Sequence, residues 1–361
     1  MRHWRWAVVA AGVLLLCSLP VVAAAWPVTD PDISATELRS RILASADSPF
    51  EGLVDTRGGL RLPDLGRLDD EVAPFRETSR VRVWYAAPDQ WRADELLVGG
   101  ERGVYREPDR LWLWDSGRRR IIESPRDADE PLRIPRLMDL TPPELGRRLL
   151  ASADGETVTE IEPRRVAGRV AAGLRIVPSD PTATIDWVDL WADAETGIVL
   201  AVSIDTGGTA PVLETSFVEV HLRAPPAATV RFDPTQVDEP VRQMTTVDPI
   251  ETAANMTFVE LPDELAGLPR RNDPDAGLAT YGEGLTTVSL VVVPQGALGR
   301  RISALPRTER PWGGDAALIE TSLVNLELVQ IGGLEIVLAG TVTVAELDRI
   351  AGELVSDRGI G

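Results

Sequence analysis

The side chains able to do covalent or acid–base chemistry are few. Beyond the first residues the only histidine is His221, so neither a Ser-His-Asp triad nor a site with several imidazoles can be assembled. Its place at an expected strand end beside Arg223 marks it as a surface residue. Carboxylates are plentiful, but no spacing singles out a pair for acid and base work, and Asp69-Asp70-Glu71 sits in a polar stretch that reads as a solvated loop. Gly277 and Glu283 have the separation of an EF-hand loop. The matching early ligands would be Asn272, Pro274 and Ala276, two of which lack a side-chain oxygen, which excludes that loop. Gly282-Glu283-Gly284 leads into a strand rather than a helix N-terminus and reads as a turn, not a phosphate cradle. No catalytic group, metal or cofactor is expected.

The aromatic pattern points to binding instead. Trp112 and Trp114 share one face of a strand whose other face carries Leu111 and Leu113, so both faces need cover. Trp187 and Trp191 also share a face, with Asp189 between them. With Trp84 and Trp91 these form the candidate lining of an apolar cavity for a lipid-like ligand. The alternative is that they fill the core between sheet and helices.

Extended segments carry these residues. They run over 80–85, 90–96, 103–106, 111–115 and 120–123, parted by Pro88-Asp89, Gly99-Gly100, Pro108-Asp109 and Ser116-Gly117, and predict an antiparallel meander. A capped amphipathic helix precedes them, with Ser34 and Glu37 in capping-box spacing and Leu38 and Ile42 on one face. A second helix interrupts them, with Thr141 as cap, Pro142 at its first position, and Glu144 completing the box. Strands over 166–177, 184–192, 198–205 and 217–222 follow. Residues 224–252, spaced by Pro225, Pro226, Pro234, Pro240 and Pro249, read as a linker or a wrapped connection. Beyond them come a strand over 285–293, a helix over 296–305, a hairpin of 318–331 with 334–338 turning at Gly332-Gly333, and a closing helix from Thr343.

The chain opens with Arg2 and Arg5 and an apolar run from Ala7 to Trp26 that ends in Ala23-Ala24-Ala25. This is the layout of a secretory signal at 1–25, and roughly 19 apolar residues also suffice for one membrane anchor; both readings stay open. Cys17, the only cysteine, belongs to that run, so the exported part has no disulfide and relies on its core. The formal charge is −19, and losing Arg2 and Arg5 takes it to −21. Nucleic acid and anionic membrane are poor partners for such a surface, and a basic partner suits it. The 361 residues contain no lysine, a composition bias without mechanism.

Pro88-Asp89-Gln90-Trp91-Arg92, then 111–115, a helical break, and Leu190-Trp191-Ala192-Asp193-Ala194-Glu195-Thr196-Gly197-Ile198-Val199-Leu200 resemble the LolA-like group of envelope proteins. The two-part arrangement is similar to the RseB/MucB regulators within it: Ser48-Pro49-Phe50-Glu51-Gly52 resembles their opening strand, 284–289 their characteristic second-domain strand, and 336–342 with the capped helix their closing elements. The resemblance implies an α+β fold, in which a curved antiparallel half-barrel sheet with covering helices spans 30–223. After the linker, a small α+β C-terminal domain spans 253–361. It further implies an extracytoplasmic protein of envelope-stress regulation that binds a membrane anti-sigma factor or similar envelope partner and releases it on meeting a lipophilic ligand. The alternative it carries is a lipid or lipoprotein carrier. The acidic charge and divergent linker depart from that pattern, and none of the matching stretches is a ligand motif.

Overall fold

The computed structural model describes residues 31–65, 69–125, 135–237, 239–243, 257, 259–271 and 277–356. The apolar leader, residues 244–252 of the proline-spaced stretch and the segment Asn272–Ala276 lie outside them, as do the side chains of Asp69, Asp70 and Glu71.

Helix α1, Ala35–Ala44, starts where Ser34 accepts a hydrogen bond from the Glu37 amide at 3.3 Å, and it buries Leu38 and Ile42 one turn apart. A large sheet follows, made of β1 (Phe50–Gly58), β2 (Thr78–Ala87), β3 (Gln90–Leu97), β4 (Gly100–Glu107), β5 (Arg110–Asp115), β6 (Arg120–Pro125), β7 (Thr157–Val166), β8 (Arg169–Val177), β9 (Trp187–Asp193), β10 (Val199–Asp205), β11 (Leu213–His221) and β12 (Val241–Gln243). Its order is β12-β6-β5-β4-β3-β2-β1-β11-β10-β9-β8-β7, with β12 and β7 as its outer strands. All pairings are antiparallel except that of β12 on β6, and β2 to β6 form the expected meander. The helix α2, Asp69–Arg76, connects β1 to β2.

The expected strand over 166–177 is in fact the second half of a hairpin. The chain turns at Ala167 and Gly168, both at positive φ (48° and 79°), a turn that usually advertises itself with Asn-Gly rather than Ala-Gly.

One face of this sheet is covered by α1 and by α3, Pro142–Ser152. Leu38, Ile42 and Leu150 from the helices meet Leu174, Ile176, Leu190 and Val202 in a shared core, each of these side chains buried. Burial of that kind contributes about 1.5–3 kcal/mol per large aliphatic side chain. Gly146 lets α3 lie directly on β10, since a Cβ there would stand 2.8 Å from a Val199 methyl. The capping box expected for this helix is absent: the Thr141 hydroxyl donates to the Met138 carbonyl at 2.7 Å, and Glu144 pairs with Arg147 and Arg148. The preceding turn, Leu137–Leu140, satisfies Thr141 first.

Between the sheets, β13 (Glu264–Leu265) and β14 (Leu268–Pro269) form a small hairpin. The second sheet holds β15 (Leu278–Glu283), β16 (Thr286–Pro294), β17 (Thr308–Glu309), β18 (Asp315–Ile319), β19 (Asn325–Ile331) and β20 (Leu334–Gly340), in the order β15-β16-β20-β19-β18-β17. The expected strand over 318–331 is thus two strands. Thr321 and Asn325 turn the chain between them, the Asn325 side chain accepting from the Thr321 amide at 2.9 Å. The helix expected over 296–305 shrinks to one turn, α4 (Arg300–Ser303), bounded by Gly299 at φ 97° and by Pro306. The closing helix α5, Val344–Ser356, lays Leu347, Ile350, Ala351 and Leu354 against Tyr281, Leu290 and Ile336.

The two sheets touch. Ala183 bridges to Val342, the Thr184 amide donates to Thr341 and the Thr343 amide to Thr182 (3.0 and 2.8 Å). Leu285 and Leu323 enter the core under α1, and Leu65, from the chain after β1, packs on Ile319 and Leu328. Several residues of the proline-spaced stretch lie against the first sheet: Phe232 is 5.0 Å from both Tyr105 and Trp112, Glu239 pairs with Arg119, and Val241–Gln243 pairs with β6.

Candidate ligand and partner surfaces

The pairing register decides where the six tryptophans go, because directly opposed residues share a face. Trp84, Arg92, Tyr105 and Trp112 are opposed in turn across β2, β3, β4 and β5. This row lies on the face away from α1 and α3. The Arg92 guanidinium sits 4.8 Å from the Trp84 ring centre and 4.6 Å from that of Tyr105, and Asp94 holds it at 2.9 Å. Trp114 shares the face and packs with Phe232 and Val237 around Trp112. Trp91 is on the opposite face, opposed to Tyr85 and packed against the Phe50, Val83 and Met138 core. Trp187 and Trp191, on β9, share the face of Trp84 but stand four strands away, about 19 Å along the sheet. The six therefore fall in three places. Between the sheet and helices α1 and α3 the described side chains pack into a shared core.

Around β9 the face is a lattice of arginine and carboxylate over indole. Arg175 clasps Asp189 through two hydrogen bonds of 2.6 and 2.7 Å and lies 4.8 Å over Trp187. That hydrogen bonding raises the guanidinium's pKa further. Arg164 stacks 3.5 Å over Trp191, whose indole N–H donates to the Glu162 carbonyl at 3.2 Å. Trp191 also floors a shallow groove of about 650 Å3 against Ile161 and Pro163. The sequence reading missed Arg164 because it missed β7.

A second surface opens where the sheets meet. A hollow of about 540 Å3 is walled by Asp154, Glu156 and Asp180 from the first sheet's connections and by Gly267, Leu268 and Glu283 from the second unit. Glu156 is structural, accepting from the Ser179 amide at 2.6 Å and the Leu285 amide at 2.9 Å. Asp154 is paired with Arg39 at 2.6 Å, and Asp180 accepts from Thr182. Glu283 is exposed and has no ion pair among the described residues. The segment Gly282-Glu283-Gly284 is the β15–β16 turn, with φ of 102° and 58° at its glycines, and Gly284 lies against Glu156 where a Cβ would not fit. The turn expected there thus has a packing reason as well.

His221 is exposed at the end of β11, 3.1 Å from Glu219. Among the described residues no group of three His, Cys, Asp or Glu side chains is placed to hold a metal. No described helix is long and apolar enough to cross a membrane.

No protein-family model and no curated protein matches the sequence. Among solved structures, the Pseudomonas aeruginosa MucA/MucB complex is similar at 18% identity and TM-score 0.49, covering 88% of this chain and 96% of that one. A crystal structure of MucB gives 19% identity with the same coverage and TM-score. A LolA superfamily protein from Nitrosomonas europaea is similar over 56% of this chain and 99% of its own, at 11% identity and TM-score 0.26. MucB and a LolA superfamily protein, groups singled out from sequence motifs, are among these similar structures, at low identity.

Proposed function

We propose that this chain is an extracytoplasmic binding protein that holds a basic segment of an envelope protein, such as a membrane anti-sigma factor, and does no catalysis. The observation that carries this reading is the junction hollow. Carboxylates from both sheets line it, so one cationic segment there would touch both units at once. The surplus of acidic residues, −19 for the whole chain, would steer such a segment towards it. The motif resemblance to RseB/MucB regulators supports the same class of partner, and a lipophilic ligand would act by altering how the two sheets meet. The division into 30–223 and 253–361, joined by 224–252, belongs to this proposal as well, as does a place outside the cytoplasmic membrane, free or tethered. Carriage of a lipid against α1 and α3 finds less support, because that face is a packed core. Pull-down from envelope extracts at low salt is expected to recover a single-pass protein with a basic extracytoplasmic segment. Native mass spectrometry showing bound lipid and no protein partner would favour the carrier reading instead.

A further inference from the structure

Strand β7 lies four strands from β11 in the sheet order, yet the tip of its hairpin meets β11 and β1 across a hollow of about 320 Å3. This site is separate from the sheet junction and independent of the partner proposed there. Its walls bring together Arg57, Arg164 and Arg165 against Asp55 and Glu214, an excess of positive charge in an acidic chain. Both carboxylates are engaged. Asp55 accepts two hydrogen bonds from Arg80 at 2.6 and 2.8 Å, which lower its pKa, and Glu214 accepts from Arg57 at 3.1 Å. Asp189, the other carboxylate near Arg164, is clasped by Arg175.

Arg164 is left with a ring and no acceptor. It stacks on Trp191 and makes no hydrogen bond or ion pair among the described residues, and its Nε is fully buried without a partner. Burial depresses its pKa, the cost of a half-desolvated cation. A guanidinium so placed calls for a planar anion that takes paired hydrogen bonds. Beside it the lining also carries apolar side chains: Val166 is buried, and Ala167 and Val218 line the opening, Val218 being 51% exposed.

We propose that this hollow binds an organic carboxylate with a short apolar stem, Arg164 holding the carboxylate and Ala167 and Val218 covering the stem. The volume is at the small end of ligand sites and suits a head group with a few methylenes.

Titration calorimetry of the full chain with octanoate, with octan-1-ol as the uncharged control, tests this. Octanoate is expected to bind at least tenfold more tightly than octanol, and Arg164→Gln to weaken octanoate at least tenfold with octanol unchanged. Val218→Asp, at an exposed position, is expected to weaken octanoate similarly by repulsion without moving the unfolding midpoint. Equal affinity for octanoate and octanol overturns the proposal. Should Arg164→Gln unfold the chain, octanoate affinity unchanged in Val218→Asp overturns it.

Discussion

Glu327 illustrates how little of this molecule's chemistry is exposed. Its carboxylate is fully buried in the second sheet, accepting from the Trp312 indole at 3.0 Å and standing 3.7 Å from Arg310, which is itself clasped by Asp348. Burial raises its pKa above the ordinary 4.5, against the lowering by Trp312 and Arg310. A raised carboxyl pKa means that the folded state binds the proton more tightly than the unfolded chain. The stabilisation is therefore complete below 4.5 and is lost as pH rises through the folded value. Glu327→Gln removes that titration. The melting temperature of the wild type, relative to Glu327→Gln, is expected to fall as pH is raised from 4.5 to neutral; a gap constant across that range contradicts the assignment. At this scale the candidate site was half legible. Alternation told that Trp112 and Trp114 share a face, and likewise Trp187 and Trp191. It could not tell which face the helices cover, nor that Arg92 stands between Trp84 and Tyr105, because both depend on the register of strands distant in sequence.

At the level of elements, the parts read best from the sequence are those with strong local punctuation. The meander from β2 to β6 was legible because each turn carries Pro-Asp or glycine, and α5 because its apolar residues recur at helical spacing over thirteen residues. The β7–β8 hairpin was not, since Ala167 takes a left-handed conformation without the usual residue type. The Asp193–Gly197 turn shows a glycine with a tertiary reason. Gly197 has φ 72°, and a Cβ there would stand 2.3 Å from the Arg41 carbonyl at the end of α1. Gly197→Ala combines backbone strain with that clash and is expected to cost at least about 2 kcal/mol in urea unfolding. A loss below about 0.5 kcal/mol would show that α1 is not seated on this turn.

Among the described residues the two large sheets are coupled by backbone, apolar and side-chain contacts, and Glu156 ties them through hydrogen bonds to the Ser179 and Leu285 amides. Glu156→Ala leaves the Ser179 and Leu285 amides without their acceptor and is expected to destabilise the chain by about 1–3 kcal/mol. Hydrogen exchange should then quicken first at Leu285 and at the Thr341 and Thr343 amides; uniform exchange across both sheets would deny that Glu156 couples them. The central claim, that the junction grips a basic segment of an envelope protein, is tested most directly by calorimetry at two salt concentrations. The titrant is the basic extracytoplasmic segment of a recovered single-pass partner, against the wild type and the double variant Asp180→Arg/Glu283→Arg. The account predicts that binding to the wild type weakens with salt and that charge reversal weakens it at least tenfold. Affinity that is insensitive to salt and equal in the double variant contradicts it.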